Sequence, residues 1–578
     1  MFSQAHVAPE FIGGSFTGAV PVRRDVIEIM LTELIASITA RFSSGRAHPL
    51  THTWSTTRWI EQNARLDADE RMQELLAQIN AFNASPRINA ASLSAFLVLD
   101  VSAHRCIREL TETYLAGNRA ANKAVLKKLD DAARWIGATY ELFYRAHKAG
   151  KPAIRKDSQL AQVLLGMFRY WNLQNRVRLF RYDNPVPALW QVTSNLFRYA
   201  TASGVHRLAV HAPHRDGKPA TIEGEYANLL LLARLSSGSF TAQEIEHASV
   251  LLNECSDRLR LRADEPAHAT FALDPDSLVG LVSAHGVKVT DRTLFLDPEP
   301  LFAHIKKRLA DIAADDAGDA LARKIRIAWL ERLASHWAPD RKVVPRRAER
   351  QPADIPVALV PGLHNIHREL LAEMENAGEF WDTLIRSGRW RIVEASPLDC
   401  RIQFENESAD QFPVGALISM RREGAADWQI GVVRRVKRFE GNRIELGVEM
   451  IAREVKAIRL WPDNIRDQYP PNGAQAPDSG ALVALYLPST GAIPPAPSRT
   501  LILRHSDYKA GLSVFHISGD SRISLQLGAA IEIGRGWVWS PFAVEGRSAR
   551  AGDSVAEATT QGMTTRLPVG SGATGRNR

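Results

Sequence analysis

The sequence predicts an α+β multidomain protein with an all-α N-terminal domain, then an antiparallel β-barrel and then a small C-terminal β module. Three observations support this fold class. The chain has 578 residues, which is more than one hydrophobic core usually organises. Apolar residues recur at three- and four-residue spacing up to about residue 340, and beyond it their period falls to two. The chain is 45% hydrophobic and 24% charged, a composition typical of globular domains.

Residues 1–340 form the predicted helical domain. The segment from Thr241 opens with Thr-x-x-Glu, so Thr241 and Glu244 are expected to form a capping box at a helix N-terminus. Residues 263–300 interrupt the helical pattern and predict short extended pieces or a hairpin. Three other clear amphipathic segments begin at Arg24, Leu66 and Asn122.

Residues 341–465 predict a β-barrel of five to seven antiparallel strands. Segments such as "DIPVALVPG", "GALISMRREG", "WQIGVVRRVKRF" and "AIRLW" are short and rich in β-branched residues. Glu440-Gly441-Asn442 is a plausible hairpin turn, and closure into a barrel would leave few free strand edges. Strands recur over residues 466–545 in the smaller C-terminal module. Residues 546–578 have almost no large apolar side chains and predict a disordered tail.

The net charge of the chain bears on the kind of partner it binds. Lys and Arg number 72 against 64 Asp and Glu, and the resulting net charge of +8 favours anionic partners without identifying one. No basic stripe with interleaved aromatic residues is present, which argues against a dedicated nucleic-acid-binding protein.

The longest apolar run is far shorter than the ~20 residues that cross a bilayer, so we expect a cytoplasmic chain without membrane insertion. The separated cysteines Cys106, Cys255 and Cys400 are expected to be buried, reduced residues.

Motifs for catalysis, cofactors or metals are scarce. The sequence has no phosphate-binding loop, dinucleotide fingerprint, Gly-x-Ser-x-Gly or His-Glu-x-x-His, so we expect a protein that is not an enzyme and has no cofactor. His206, His211 and His214 invite a metal-site interpretation. Their spacing matches no helix face and no Cys or acidic partner is adjacent, which favours histidines of a surface loop.

Three arginines gather before the first predicted barrel strand, in a connector that Pro345 keeps from continuing as helix. They are Arg346, Arg347 and Arg350. The planar arginine fork binds phosphate oxygens bidentately and reaches the O6 and N7 acceptors of guanine. The connector therefore suits an anionic ligand, although Arg434 and Arg438 share the same Arg-x-x-x-Arg spacing in a predicted strand, where such side chains are expected to point outward.

Arg346-x-x-x-Arg350 before a strand resembles the nucleotide-binding entry of PilZ domains, the cytoplasmic cyclic di-GMP receptors of bacteria. The segment "GVVRRVKRFEGNRIELGVEMI" is similar to the late hairpin of that family. The family's second motif, Asp/Asn-x-Ser-x-x-Gly, aligns with Glu394-Ala-Ser396-Pro-Leu-Asp399. The resemblance covers residues 341–465, and the layout with a long helical domain is similar to large PilZ proteins linked to surface motility and biofilms.

The resemblance implies cyclic di-GMP as the ligand. The second motif departs from the family pattern where Asp399 replaces glycine. Two like charges ~5 Å apart repel by roughly 3 kcal/mol at an effective dielectric near 20. Asp399 would therefore oppose the ligand's phosphates unless it points away or Arg401 neutralises it. The implied ligand-binding residues are Arg346, Arg347, Arg350, Glu394, Ser396 and Asp399.

Two functions of different classes follow. The first is a signalling receptor or adaptor in which cyclic di-GMP joins the arginine connector to the barrel, and the helical domain transmits the output to an unidentified protein partner. The alternative is a degenerate barrel that no longer binds nucleotide and serves as a protein-interaction or assembly module. For the first function we expect the connector and its arginines to be exposed, and the unliganded connector to be open to protease.

Overall fold

The computed structural model describes residues 49–545 in most of their length. The predicted helix at Arg24, the tail at 546–578, the Glu440-Gly441-Asn442 turn and the two arginines Arg346 and Arg347 lie outside the described residues. The gaps within the described range are 118, 216–217, 236–237, 265–270, 275, 277–278, 286, 316–319, 340–347, 374–389, 405–410, 426, 440–442, 469–479, 490–498 and 519–520.

The first part of the described chain is helical, as predicted, and its buried faces form one continuous core. Thr241 and Glu244 make the predicted capping box, in which the Glu244 carboxylate accepts from the Thr241 amide at 2.8 Å. The helices are α1 (Thr53–Gln62), α2 (Ala68–Ala84), α3 (Ala90–Leu115), α4 (Arg119–Lys148), α5 (Asp157–Phe180), α6 (Pro187–Ala202), α7 (Ile222–Ala233), α8 (Ala242–Cys255), α9 (Glu299–Ala314) and α10 (Ala320–Trp337).

Two small antiparallel sheets interrupt the helices. One pairs β1 (Val210–His211) with β2 (Pro219–Ala220). The other has the order β3-β6-β4-β5 and falls largely within the interruption that the sequence predicts. Its strands are β3 (Leu261–Arg262), β4 (Phe271–Leu273), β5 (Val282–Ser283) and β6 (Leu294–Leu296).

Helix α3 has the length and apolar composition of a membrane-spanning helix. Within this fold, 56% of its most apolar window is buried. Leu93, Phe96 and Leu99 are fully enclosed in the core of the helical domain. The apolar character of α3 therefore reflects its central position in that domain.

The three histidines do not behave alike. His211 is exposed, whereas the His214 side chain is only 8% exposed and contacts the buried Glu225 through Nε2 at 3.0 Å. The surface-loop interpretation is therefore wrong for His214, which turns inward because a buried carboxylate lies there. No group of three His, Cys, Asp or Glu side chains within the described chain is arranged to hold a metal ion. The three cysteines are buried and free, as predicted.

A closed six-stranded antiparallel barrel follows the helical domain, as predicted. Neighbouring strands pair in the order β10-β11-β12-β9-β8-β7, and β7 pairs with β10 to close the ring. Inside the ring, Val357 and Leu359 of the first strand join the barrel core, while the alternate residues Ala358 and Val360 face outward against the C-terminal module. The strands are β7 (Gln351–Pro361), β8 (Trp390–Ala395), β9 (Asp399–Phe404), β10 (Leu417–Arg422), β11 (Gln429–Arg438) and β12 (Ile444–Ala452).

Helix α11 (Leu363–Glu373) lies between β7 and β8 and departs from the all-strand expectation for this region. Leu363, Ile366 and Leu370 recur at helical spacing and pack on the outer face of the barrel. The short apolar face is easily missed because strong strand patterns flank it on both sides.

The C-terminal module is larger than predicted and begins earlier. Strand β13 (Lys456–Pro462), which the sequence analysis grouped with the barrel, instead pairs with β14 and β16. A period-two pattern of apolar residues identifies a strand, but it does not show with which sheet the strand pairs. The seven-stranded sheet has the order β15-β14-β13-β16-β17-β19-β18, and β15 also pairs with β19. Its other strands are β14 (Leu482–Leu487), β15 (Thr500–Arg504), β16 (Ser513–Ser518), β17 (Ser521–Leu527), β18 (Glu532–Gly534) and β19 (Trp537–Val544).

The helical domain contacts the barrel through the backbone of Gly238 and the side chain of Tyr182. Gly238, between α7 and α8, accepts a hydrogen bond from the Val436 amide of β11 at 3.0 Å. Tyr182 has a φ of 61°, and its hydroxyl accepts from the Val414 amide at 3.3 Å while its ring packs on the barrel core. These contacts fix the helical domain directly against one strand of the barrel and the loop before β10.

We expect Gly238→Ala to destabilise the chain by about 1–3 kcal/mol, because a Cβ at Gly238 would lie 1.8 Å from the Val436 oxygen. Gly204→Ala is the matched control, since Gly204 has a similar φ of +72° but no heavy atom within 4 Å of such a Cβ. Urea unfolding measures both variants. Equal losses for the two variants would show that backbone strain, and not the contact with the barrel, sets the cost.

Candidate ligand site

A polar cavity of about 570 Å³ opens where the connector enters the barrel. It lies beside the β8–β9 hairpin and along β11 and β12. Its described lining is rich in charge of both signs. The charged lining residues are Arg350, Arg401, Arg434, Arg435, Lys437, Glu394, Asp399, Glu445 and Glu449.

Arg350 lies at this cavity because β7 begins at the next residue and pairs Gln351 with Ala395 of β8. Its guanidinium donates to Asp399 through two parallel hydrogen bonds, Nε to Oδ1 at 2.7 Å and Nη2 to Oδ2 at 2.9 Å. This bond to Asp399 raises the pKa of Arg350 above its ordinary value. The side chain is only 16% exposed, so the expectation of an exposed connector residue is wrong for Arg350.

The second predicted motif forms the turn between β8 and β9. Ser396 uses its hydroxyl inside this turn, where Oγ accepts from the Asp399 amide at 3.0 Å and donates to Asp399 Oδ1 at 2.7 Å. Ser396 is absent from the described cavity lining, while Glu394 and Asp399 belong to it. The structure thus brings Arg350, Glu394 and Asp399 together and gives Ser396 a role in holding the hairpin.

Glu394 and Arg401 form a second layer of ion pairs in the cavity. Arg401 donates to Glu394 Oε1 at 2.8 Å, and its Nη1 lies 3.4 Å from Glu445 Oε2. Glu394 Oε2 also lies 4.0 Å from Arg350 Nη1. The guanidinium that neutralises Asp399 is therefore that of Arg350, whereas Arg401 neutralises Glu394 and Glu445.

Strand β11 supplies a basic wall of the cavity that was not predicted from the sequence. Arg434 was expected to point outward from its strand, but it lines the cavity together with Arg435 and Lys437. Gly447, opposite Arg435, leaves room for this wall, since a Cβ there would lie 3.3 Å from the Arg435 Cβ. The "VVRR" sequence breaks the alternation of apolar and charged residues. This break is the sequence signal from which the basic wall could have been predicted.

The connector reaches the cavity at its rim. Ala348 belongs to the lining. The described lining has five cations against four carboxylates. An anionic ligand would therefore meet a small excess of positive charge, of one unit, in the described lining alone.

Comparison with known families agrees with this architecture. Residues 382–456 match the family model described as "Cyclic-di-GMP receptor FimW, middle PilZ domain", and the chain is accordingly a PilZ-domain protein. Residues 55–267 match the model described as "Cyclic-di-GMP receptor FimW, N-terminal domain". The chain thus has the N-terminal and middle domains of FimW-type receptors in the same order, and the two matches span about half of its length. No curated protein and no solved structure matches it significantly.

Proposed function

We propose that the chain is a non-catalytic, cytoplasmic receptor for cyclic di-GMP, with the ligand bound between the arginine connector and the barrel. The geometry at Arg350 is the observation that supports this function best. Its fork is already bound bidentately by the Asp399 carboxylate, which has the planar pair of oxygens that a phosphodiester also offers. Arg350 is thus held at the cavity with its donors arranged for an anion.

The remaining lining suits the rest of such a ligand. Glu394 keeps a carboxylate acceptor for guanine N–H groups on an arm one methylene longer than that of the family pattern. Arg346 and Arg347 would reach the phosphates or the guanine O6 and N7 from the connector. A cavity of about 570 Å³ is within the range of ordinary small-molecule sites.

The route of output that we propose goes through β11. Arg435 and Lys437 line the cavity, and the Val436 amide between them donates to Gly238 of the helical domain at 3.0 Å. A ligand that moves the two basic side chains acts on the strand that holds this hydrogen bond. The helical domain would then change its position or stability relative to the barrel and signal to a protein partner.

One observation favours the alternative of a barrel that no longer binds nucleotide. The cations Arg350 and Arg401 both have carboxylate partners within the chain, so a ligand must displace those carboxylates. Such a barrel would act as an interaction or assembly module. Displacement of fluorescent cyclic di-GMP separates the two functions: the receptor binds the probe and releases it to unlabelled cyclic di-GMP but not to GMP, whereas the assembly module shows no binding of the probe.

The connector offers a second, independent readout. Trypsin cleaves after arginine, and we expect saturating cyclic di-GMP to slow cleavage after Arg346 and Arg347 by about tenfold, because bound phosphates engage their side chains. Cleavage in the 546–578 tail, which contains arginines far from the cavity in sequence, serves as the internal control. Unchanged cleavage at the connector with ligand bound elsewhere would remove Arg346 and Arg347 from the site.

A further inference from the structure

A β-bulge in β11 aims Arg434 out of the regular strand alternation. Val433 pairs with Val448 and Arg435 pairs with Gly447, so Arg434 is the extra residue on this strand. The bulge lets Val433 and Val436, three positions apart, both enter the barrel core. Bulges commonly redirect a side chain in this way, and here the redirected side chain is an arginine at the cavity wall.

Arg434 uses two edges of its guanidinium for two different parts of the molecule. On one edge Nε donates to Glu449 of β12 at 2.6 Å, and Glu449 lines the ligand cavity. On the other edge Nη1 and Nη2 donate to Glu532 of β18 at 2.5 and 2.8 Å. Glu532 lines a different cleft, of about 710 Å³, between the helical domain, the barrel and the C-terminal module.

We propose that Arg434 is a further ligand-binding arginine, and that Glu532 of the C-terminal module positions it for the ligand. This inference rests on the proposed function and concerns the same cavity. A ligand phosphodiester would take the Nε edge in place of the Glu449 carboxylate, because that edge contacts a residue that lines the cavity. The opposite edge would stay on Glu532, since a planar guanidinium has five N–H groups and can bind two anions on separate edges.

The ion pair between Arg434 and Glu532 makes the C-terminal module part of the proposed binding site. Glu532 fixes the plane of the guanidinium before the ligand arrives, so less side-chain freedom is lost on binding. By linkage, a ligand that fixes Arg434 also favours docking of β18 on the barrel. Trp537 of β19 holds the same junction through a 3.0 Å hydrogen bond from Nε1 to the Gly415 carbonyl.

Calorimetric titration of the full chain with cyclic di-GMP tests the binding role. We expect Arg434→Ala to weaken binding about tenfold or more, and Arg434→Lys to recover only part of the loss because it lacks the fork. Arg391→Ala is the matched control, since Arg391 is an arginine of the same barrel that pairs with Asp354 and does not line the cavity. Wild-type affinity in a folded Arg434→Ala variant would overturn the inference while leaving the proposed function intact. A wild-type chain that does not bind would remove both.

Hydrogen exchange tests the positioning role of Glu532. We expect ligand to increase protection of the β18 and β19 amides in the wild-type chain and not in Glu532→Gln, which should also bind about threefold to tenfold more weakly. The Gln variant keeps the side-chain shape, so it tests charge pairing without a large packing change. Lower protection on binding, or tighter binding by Glu532→Gln, would show that Glu532 competes with the ligand and would overturn this assignment.

Discussion

Replacement of Arg350 by alanine is expected to weaken cyclic di-GMP binding by about a hundredfold or more, because the variant loses two parallel charge-assisted hydrogen bonds to the ligand. Arg350 is the described connector residue whose fork already faces an anionic group in the cavity. The variant also leaves Asp399 without its bidentate partner, so the cavity becomes more negative. Both effects act in the same direction on an anionic ligand.

The barrel should remain folded in this variant. Arg350 precedes β7 and takes no part in the barrel core, and Asp399 is 28% exposed, so water can solvate the carboxylate that loses its partner. Isothermal calorimetry with a thermal melt separates binding from stability, with Arg391→Ala again as the charge-matched control. Wild-type affinity for Arg350→Ala would place the ligand outside this cavity.

Replacement of Asp399 by glycine is expected to increase the affinity for cyclic di-GMP by about tenfold or more, after the ~3 kcal/mol Coulomb figure is discounted for solvent screening. Asp399 occupies the Arg350 fork at 2.7 and 2.9 Å, so the ligand's phosphate must displace it. Glycine removes this competitor and the bulk at its position. Asp399→Asn should give part of the gain, because it removes the charge and keeps the size.

The stability of the β8–β9 hairpin limits the gain in affinity that these substitutions can give. Glycine and asparagine both retain the backbone amide that donates to Ser396 Oγ at 3.0 Å, but glycine loses the side-chain oxygen that accepts from Ser396. Circular dichroism and unfolding of each variant show whether the β8–β9 turn persists. If both folded variants bind no better than wild type, Asp399 does not compete with the ligand and the alignment of "EASPLD" with the second motif is wrong.

The broad fold was predictable because the hydrophobic period changes where the architecture changes. Strands such as "DIPVALVPG" have clear period-two patterns and turn residues at their ends, and they form the barrel as expected. The position of Arg350 before β7 also followed from the motifs, whereas the turn that places Asp399 at the start of β9 did not, because "WRIVEASPLDCRIQFE" has the pattern of one continuous strand segment. Their direct ion pair required the barrel register, in which the ends of β7, β8 and β9 meet.

Other features depend on contacts that a linear pattern does not encode. Strand β13 would have the same alternation of apolar residues whether it paired with the barrel or with the C-terminal sheet. Helix α11 is short and lies between two segments with strong strand patterns. Arg434 enters the cavity only because a bulge shifts the phase of β11. Its second partner, Glu532, is 98 residues away in sequence. His214 likewise turns inward because Glu225 on α7 offers a buried partner.

Calorimetric titration of the purified chain with cyclic di-GMP tests the central claim most directly. The receptor function predicts a saturable heat of binding that GMP does not reproduce and that Arg350→Ala removes. The absence of heat and of any saturable signal for the wild-type chain at hundreds of micromolar ligand would contradict it, and the ligand-independent assembly module would then be the function of this barrel.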